Sequence, residues 1–213
     1  MKVLLVGGAP VSTWPKLSDT YDHYVGIDRG SLYLLEKNLP LDIAVGDFDS
    51  LNEEEQQQVF QQAKDVHKAP AEKDDTDTQL GLAVALEVYP EAEITLIGAT
   101  GGRIDHFLAN LWMVLEPRFQ SFSQQIWIKD NQNTIQFLLP GEHTVYQETG
   151  MRYLAYCCLT PVVNLTLMES KYTLDNQEVK QPTSYASNEF LTDQAKVSFT
   201  KGLVAVIQSK DKN

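Results

Sequence analysis

Through its first two thirds the chain alternates short apolar runs with segments of helical spacing, and this restricts the fold more than any other feature. Segments 3–7, 23–27, 43–45, 65–68, 94–97 and 125–128 read as strands. Segments 31–37, 53–64, 76–88 and 105–115 read as helices. In the third of them Leu80, Ala83, Val84 and Val88 recur near the 3.6-residue period. Helices between successive strands imply a parallel sheet with helices on its faces. The reading is therefore an α/β fold: an N-terminal Rossmann-like, three-layer domain over residues 1–139. In such sheets ligands bind at the carboxyl ends of the strands.

After Leu139-Pro140-Gly141 the texture changes. Strand-like runs at 144–146, 153–159, 163–168, 196–199 and 203–208 are separated by turn residues such as Asp175-Asn176 and Lys201-Gly202, with no helical pattern. This predicts a small all-β sandwich over 140–213. At roughly 70 residues its core is marginal alone, so it is expected to pack on another body.

No run approaches the ~18 apolar residues of a membrane span. The apolar stretch after Met1 is too short for a signal-peptide core and reads as a buried strand. Cys157 and Cys158 are adjacent, and neighbours on a strand point to opposite faces, so a reduced, cytoplasmic protein is expected. A net charge of −12 argues against nucleic acid or an anionic membrane as partner. A protein this acidic binds a polyphosphate only if a metal bridges carboxylate and phosphate.

Three motifs meet that condition. Gly46-Asp47-Phe48-Asp49-Ser50 follows the apolar run Ile43-Ala44-Val45. On an extended segment Asp47 and Asp49 face the same way, and two close carboxylates call for a cation such as Mg²⁺. Lys73-Asp74-Asp75-Thr76-Asp77-Thr78 opens a helix. Capping accounts for one or two of its polar residues. Asp77 or Asp74 is left as a further metal ligand, with Lys73 reaching a phosphate. Gly98-Ala99-Thr100-Gly101-Gly102-Arg103-Ile104-Asp105-His106 joins a strand to a helix. Its backbone N–H groups and Arg103 suit an anion, although its spacing is neither a P-loop nor a dinucleotide fingerprint. Asp130-Asn131-Gln132-Asn133 either binds a nucleotide or makes a turn. No nucleophile–base pair is present, so the pattern favours metal-assisted phosphoryl chemistry over covalent catalysis.

In series, these motifs with Asn110, Asp28-Arg29-Gly30, Tyr172-Thr173-Leu174 and Ser187-Asn188-Glu189 resemble the thiamine pyrophosphokinase family, bacterial type, over essentially the whole chain. The resemblance implies transfer of the β- and γ-phosphates of ATP to the thiamine hydroxyl, with AMP released, by in-line attack on the β-phosphorus. It implies Mg²⁺ held by the catalytic acids Asp47, Asp49 and Asp77. Asp28, Lys73, Asp74, Thr100, Gly101, Gly102, Arg103, Asp130 and Asn133 are implied on the ATP side. Asp105 and His106 are implied on thiamine, with Ser187 and Asn188 contributed across the subunit boundary of a homodimer. Arg29 departs from the family's small glycine. The β domain has no tryptophan, since Trp14, Trp112 and Trp127 all precede it, so a tyrosine or phenylalanine stacks on thiamine or nothing does. A diphosphokinase for another alcohol, such as a pterin, and a non-catalytic thiamine diphosphate or nucleotide sensor are the alternatives.

Overall fold

A computed structural model describes residues 1–17, 20–70 and 74–211. The chain forms two compact units, Met1–Gln120 with Ile128–Asn131, and Ser121–Trp127 with Gln132–Asn213. The fold is mixed α/β, with a parallel sheet in the first unit and antiparallel sheets in the second.

The first unit carries strands β1 (Lys2–Val6), β2 (His23–Ile27), β3 (Ile43–Gly46), β4 (Asp65–Lys68), β5 (Glu93–Ile97) and the end of β6 (Ile126–Lys129). Their order is β6-β5-β1-β2-β3-β4, and β1 to β5 pair in parallel. Val3 to Val6 of β1 are wholly buried, as expected for a central strand covered on both faces. The chain winds outward from β1 to β4, then returns to place β5 on the other side of β1. That reversal opens a crevice at the carboxyl ends of β1, β2 and β5.

The helices are α1 (Arg29–Glu36), α2 (Glu53–Gln62), α3 (Asp77–Val88), α4 (Ile104–Trp112) and the short α5 (Pro117–Gln120). Asn52 with Glu55 and Thr76 with Gln79 form capping boxes that start α2 and α3. The helix expected over 105–115 is α-helical only to Trp112. Met113–Leu115 tightens to a 3-10 turn, and Glu116, which precedes Pro117, is extended.

In the second unit, β7 (Asn133–Leu138), β9 (Tyr153–Cys158), β12 (Thr183–Glu189) and β14 (Val204–Ser209) pair in the order β12-β9-β14-β7. Strands β8 (Gly141–Tyr146), β10 (Val162–Met168), β11 (Leu174–Val179) and β13 (Gln194–Phe199) pair in the order β11-β10-β13-β8. One core joins the two sets, with Leu138, Tyr156 and Val206 from the first and Val145, Leu165 and Phe199 from the second. Strands β7, β11 and β12 escape the sequence reading. β11 and β12 are edges whose side chains are largely polar and exposed, so they lack an apolar alternation. Cys157 is partly exposed and Cys158 is buried; both are free thiols.

Candidate active site

Three loops leave the carboxyl ends of β2, β3 and β5, and each carries part of the site. Gly46 ends β3 at φ +143°, and a Cβ there would lie 2.0 Å from Asp28 Oδ1. Only glycine lets the Asp28 carboxylate occupy that space. Asp28 itself adopts φ 45°, ψ −120°, a region disfavoured for any residue with a side chain. It is held there at both ends: its amide donates to Val45 O at 2.9 Å, and its Oδ1 accepts from the Phe48 amide at 3.0 Å. Phe48 is fully buried and meets the Phe60 ring edge-on at 5.0 Å. The acidic loop is thereby nailed to the core by the apolar residue in its middle.

Asp28, Asp47 and Asp77 each bring a carboxylate oxygen within 4.8 Å of the other two. All three are half-buried. Burial pushes the Asp28 carboxyl up to about 7, against the pull of the Phe48 amide, and the charges on Asp77 and Asp47 push it the same way. This all-oxygen donor set, in which one acid resists ionising beside the others, fits a hard divalent cation.

Asp49 stands apart from the group. The extended alternation expected to bring it beside Asp47 is broken by Phe48, whose φ is +62°. Asp49 is exposed, and its amide donates to Asp47 Oδ1 at 3.0 Å. Asp28, read from the sequence as an ATP-side residue, takes the third position in the cluster. Asp77 arrives as the first residue of α3, and Asp74 is exposed ahead of it. Lys73 lies outside the described residues.

Arg29 explains its own departure. Its guanidinium donates to Ser50 O and reaches both Glu55 carboxylate oxygens at 3.4 Å. It ties α1 to the end of the acidic loop and to the first turn of α2.

The glycine loop after β5 borders a cavity of about 220 Å³, lined by Gly8, Thr78, Thr100, Arg103, His106 and Asn110 among others. Gly98, at φ +67°, packs so close to Gly7 that a Cβ would lie 2.5 Å from the Gly7 carbonyl oxygen. Gly101 is also left-handed, at φ +76°, and Gly102 is exposed. Buried Thr100 donates from Oγ1 to Asp130 Oδ2 at 2.6 Å. Asp130 thus braces the loop from behind, and Asn110 does the same by donating to Ala99 O at 2.9 Å. Arg103 and Asp105 are exposed and form a fork, Nε to Oδ1 at 3.2 Å and Nη2 to Oδ2 at 2.5 Å. The Arg103 hydrogen bond holds the Asp105 carboxyl below the usual range.

The remaining expected residues belong to the second unit. Asn133 opens β7, opposite Ser209 of β14. Ser187 is exposed at φ +61°, in an irregular stretch of β12. Asn188 is buried, and its amide is fully employed. Oδ1 accepts from the Tyr172 and Glu189 amides, both at 2.9 Å, while Nδ2 donates to Tyr172 O at 2.8 Å and Ser170 Oγ at 3.2 Å. Its polar atoms hold Tyr172, whose own side chain is exposed.

Gly8 and Thr78 line the cavity although the sequence reading assigns them no role, and the contacts of Arg29 are equally absent from it. Gly8 and Thr78 carried a signal, since one follows the first strand and the other follows Asp77. The contacts of Arg29 carried none, because Ser50 is 21 residues away.

Residues 14–128 match the family model for the thiamin pyrophosphokinase catalytic domain, and residues 142–204 match that for the thiamin pyrophosphokinase vitamin B1 binding domain. Thiamine pyrophosphokinase of Bacillus subtilis is 34% identical over 97% of this chain and 98% of its own. The crystal structure of a thiamin pyrophosphokinase family protein from Enterococcus faecalis aligns over 100% of both chains, at 60% identity and TM-score 0.97. That of thiamin pyrophosphokinase from Geobacillus thermodenitrificans covers 100% of this chain and 99% of its own, at 35% identity and TM-score 0.84.

Proposed function

Because the chain belongs to the thiamin pyrophosphokinase family, we propose that its three-acid cluster and glycine loop are the reaction centre for pyrophosphate transfer. The activity is that of the family: ATP is the pyrophosphate donor and thiamine the acceptor. The observation that carries the site is the convergence of Asp28, Asp47 and Asp77.

In this reading Asp28, Asp47 and Asp77 hold Mg²⁺. The chemistry such an ion would supply is neutralisation of the negative charge that grows on the leaving group. The chain's own residues orient the reactants. Backbone N–H groups of loop 98–103 and the Arg103 guanidinium hold phosphate oxygens, and Asp74 flanks the same polyphosphate. Asp130, on the ATP side, keeps Thr100 in place. The thiamine hydroxyl oxygen bonds to the β-phosphorus as the bond from that phosphorus to the α–β bridging oxygen breaks, and AMP leaves with that oxygen. We assign the hydroxyl proton to Asp49, the exposed acid of the same loop. A loose transition state asks little of such a base.

We read the first unit as a Rossmann-like ATP-binding domain and the second as a sandwich that binds thiamine. Asp105 and His106 meet thiamine on one subunit, and Ser187 and Asn188, with Tyr172 held by Asn188, come to it from the other subunit of a homodimer. A cytoplasmic homodimer completes this reading. Among the described residues no helix is long and apolar enough to cross a membrane.

The test is mass-resolved product analysis after mixing protein, thiamine and Mg-ATP. Thiamine diphosphate and AMP in equal amounts are expected, with loss of both under a chelator. ADP with thiamine monophosphate, or nucleotide binding without turnover, would overturn the mechanism.

A further inference from the structure

Arg118, Glu116 and Asp75 have no role in the reading above, yet they meet at one corner of the first unit. Arg118, in α5, donates twice to the Asp75 carboxylate, Nη1 to Oδ2 at 2.8 Å and Nη2 to Oδ1 at 2.7 Å. Its Nε donates to Glu116 Oε2 at 2.8 Å. The other Glu116 oxygen accepts from Gln79 Nε2 at 2.5 Å. Gln79 also closes the capping box of α3. Its Oε1 accepts from the Thr76 amide at 2.8 Å, and its own amide donates to Thr76 Oγ1 at 3.2 Å.

Asp75 and Gln79 stand two residues before and two residues after Asp77. The acid that joins the cluster from α3 is therefore bracketed by two tethers that end on the same corner. That corner is firm. Phe119 is 2% exposed, its ring lies 4.5 Å under the Arg118 guanidinium, and its amide donates to Glu116 O at 2.9 Å. A planar fork against a carboxylate fixes direction as well as distance, which a lysine does not do.

We propose that Arg118 is a positioning residue for Asp77, setting the start of α3 through Asp75 on one side and through Glu116 and Gln79 on the other. This rests on the reading of Asp77 as a holder of a divalent cation. The Arg118 side chain is 42% exposed and that of Asp75 31% exposed. A pair this accessible contributes little to global stability. Its loss should register in the geometry of the site and leave the melting temperature nearly where it was.

The experiment compares the wild type with Arg118→Gln, Arg118→Lys, Asp75→Asn and Asp77→Asn. Mn²⁺ affinity is read without thiamine, from the paramagnetic resonance signal of the free ion. Steady-state kinetics and thermal melts accompany it. Arg118→Gln is expected to weaken Mn²⁺ binding and to lower kcat, each by about 10–100-fold, as loss of a group that orients a metal ligand does. KM for thiamine and the melting temperature should barely move. Arg118→Lys keeps the charge but loses the fork and is expected to resemble Arg118→Gln. Wild-type Mn²⁺ affinity and kcat in Arg118→Gln would overturn the proposal. If Arg118→Gln does not fold, Asp75→Asn decides by the same two readouts in the same directions. If Asp77→Asn binds Mn²⁺ as the wild type does, the cation site itself is misread. If Asp77→Asn loses Mn²⁺ while Arg118→Gln keeps it, the site stands and the role of Arg118 falls.

Discussion

The two ends of the parallel sheet treat the same residue type in opposite ways. At the amino ends of β2 and β3, Asp42 is 8% exposed, and its carboxylate accepts from Lys64 Nζ at 2.6 Å and from the Tyr24 amide at 2.8 Å, with His23 Nδ1 3.7 Å away. Burial alone would raise this carboxyl, but the Lys64 and Tyr24 hydrogen bonds and the Lys64 charge outweigh it and hold the group below the usual range. At the carboxyl ends of the same strands, Asp28 is also partly withdrawn from water, yet it faces two more carboxylates, and its carboxyl rises to about 7. One end neutralises its buried charge and stabilises the fold. The other keeps charge of one sign and a strained backbone together, an arrangement that costs stability and suits a cation-bearing ligand.

Removing either of two acids from the carboxyl end should test that contrast most severely. Asp47→Asn and Asp77→Asn are each expected to lower kcat by about a hundredfold to a thousandfold, as loss of a group stabilising transition-state charge does. Circular dichroism and melting temperature should stay near wild type. Turnover close to wild type in both would remove the carboxyl end as the reaction centre.

Gly46→Ala should come next. The added methyl competes with Asp28 Oδ1 for one space, at a φ that L-residues rarely adopt. A misplaced acid is expected to lower kcat by about a hundredfold. Urea unfolding should show a loss of roughly 1–3 kcal/mol from the strained backbone. Unchanged kinetics would mean that the Asp28 position is not needed.

The pH dependence of stability separates the two ends without touching activity. Asp28 binds its proton more tightly in the folded chain, since its carboxyl rises from 3.8 to about 7. Folding therefore takes up a proton in that window, and this contribution to stability is lost as pH rises through it. In chelator the melting temperature is expected to fall between about pH 4 and 7 from this group and to level off above. Asp28→Asn should abolish that fall while also losing activity. Asp42 acts with the opposite sign. Its lowered pKa gives stability that is present at neutral pH and lost on the acid side. A metal-free protein whose melting temperature is the same at pH 5 and pH 8, with no difference in Asp28→Asn, would break the comparison.

The smallest effect belongs to the amino end. Asp42→Asn should cost about 1–3 kcal/mol in denaturant unfolding, the scale of hydrogen bonds to a charged group. Its kcat at saturating substrate should match the wild type. A large loss of turnover would show that the two ends are coupled through the sheet.

Much of this was legible in the sequence because it depends on neighbours along the chain. Strand–helix alternation, the glycines at strand ends and the acid-rich loop after Val45 are all local patterns, and the series of motifs sufficed to identify the family. In the second unit the apolar strands are legible, while the polar edges β11 and β12 give no signal, because an edge satisfies its backbone on one side and leaves its side chains in water.

What the sequence alone determined was which residue types reach the carboxyl edge, since that follows from periodicity and turn chemistry. Only the tertiary structure decided which acids share a point. Phe48, drawn into the core at a left-handed φ, turns the loop so that Asp49 faces water. The gap beside Gly46 then seats Asp28, the residue that follows another strand. Contacts between segments 20 or more residues apart depend on packing against the core, and no spacing rule along one segment encodes them.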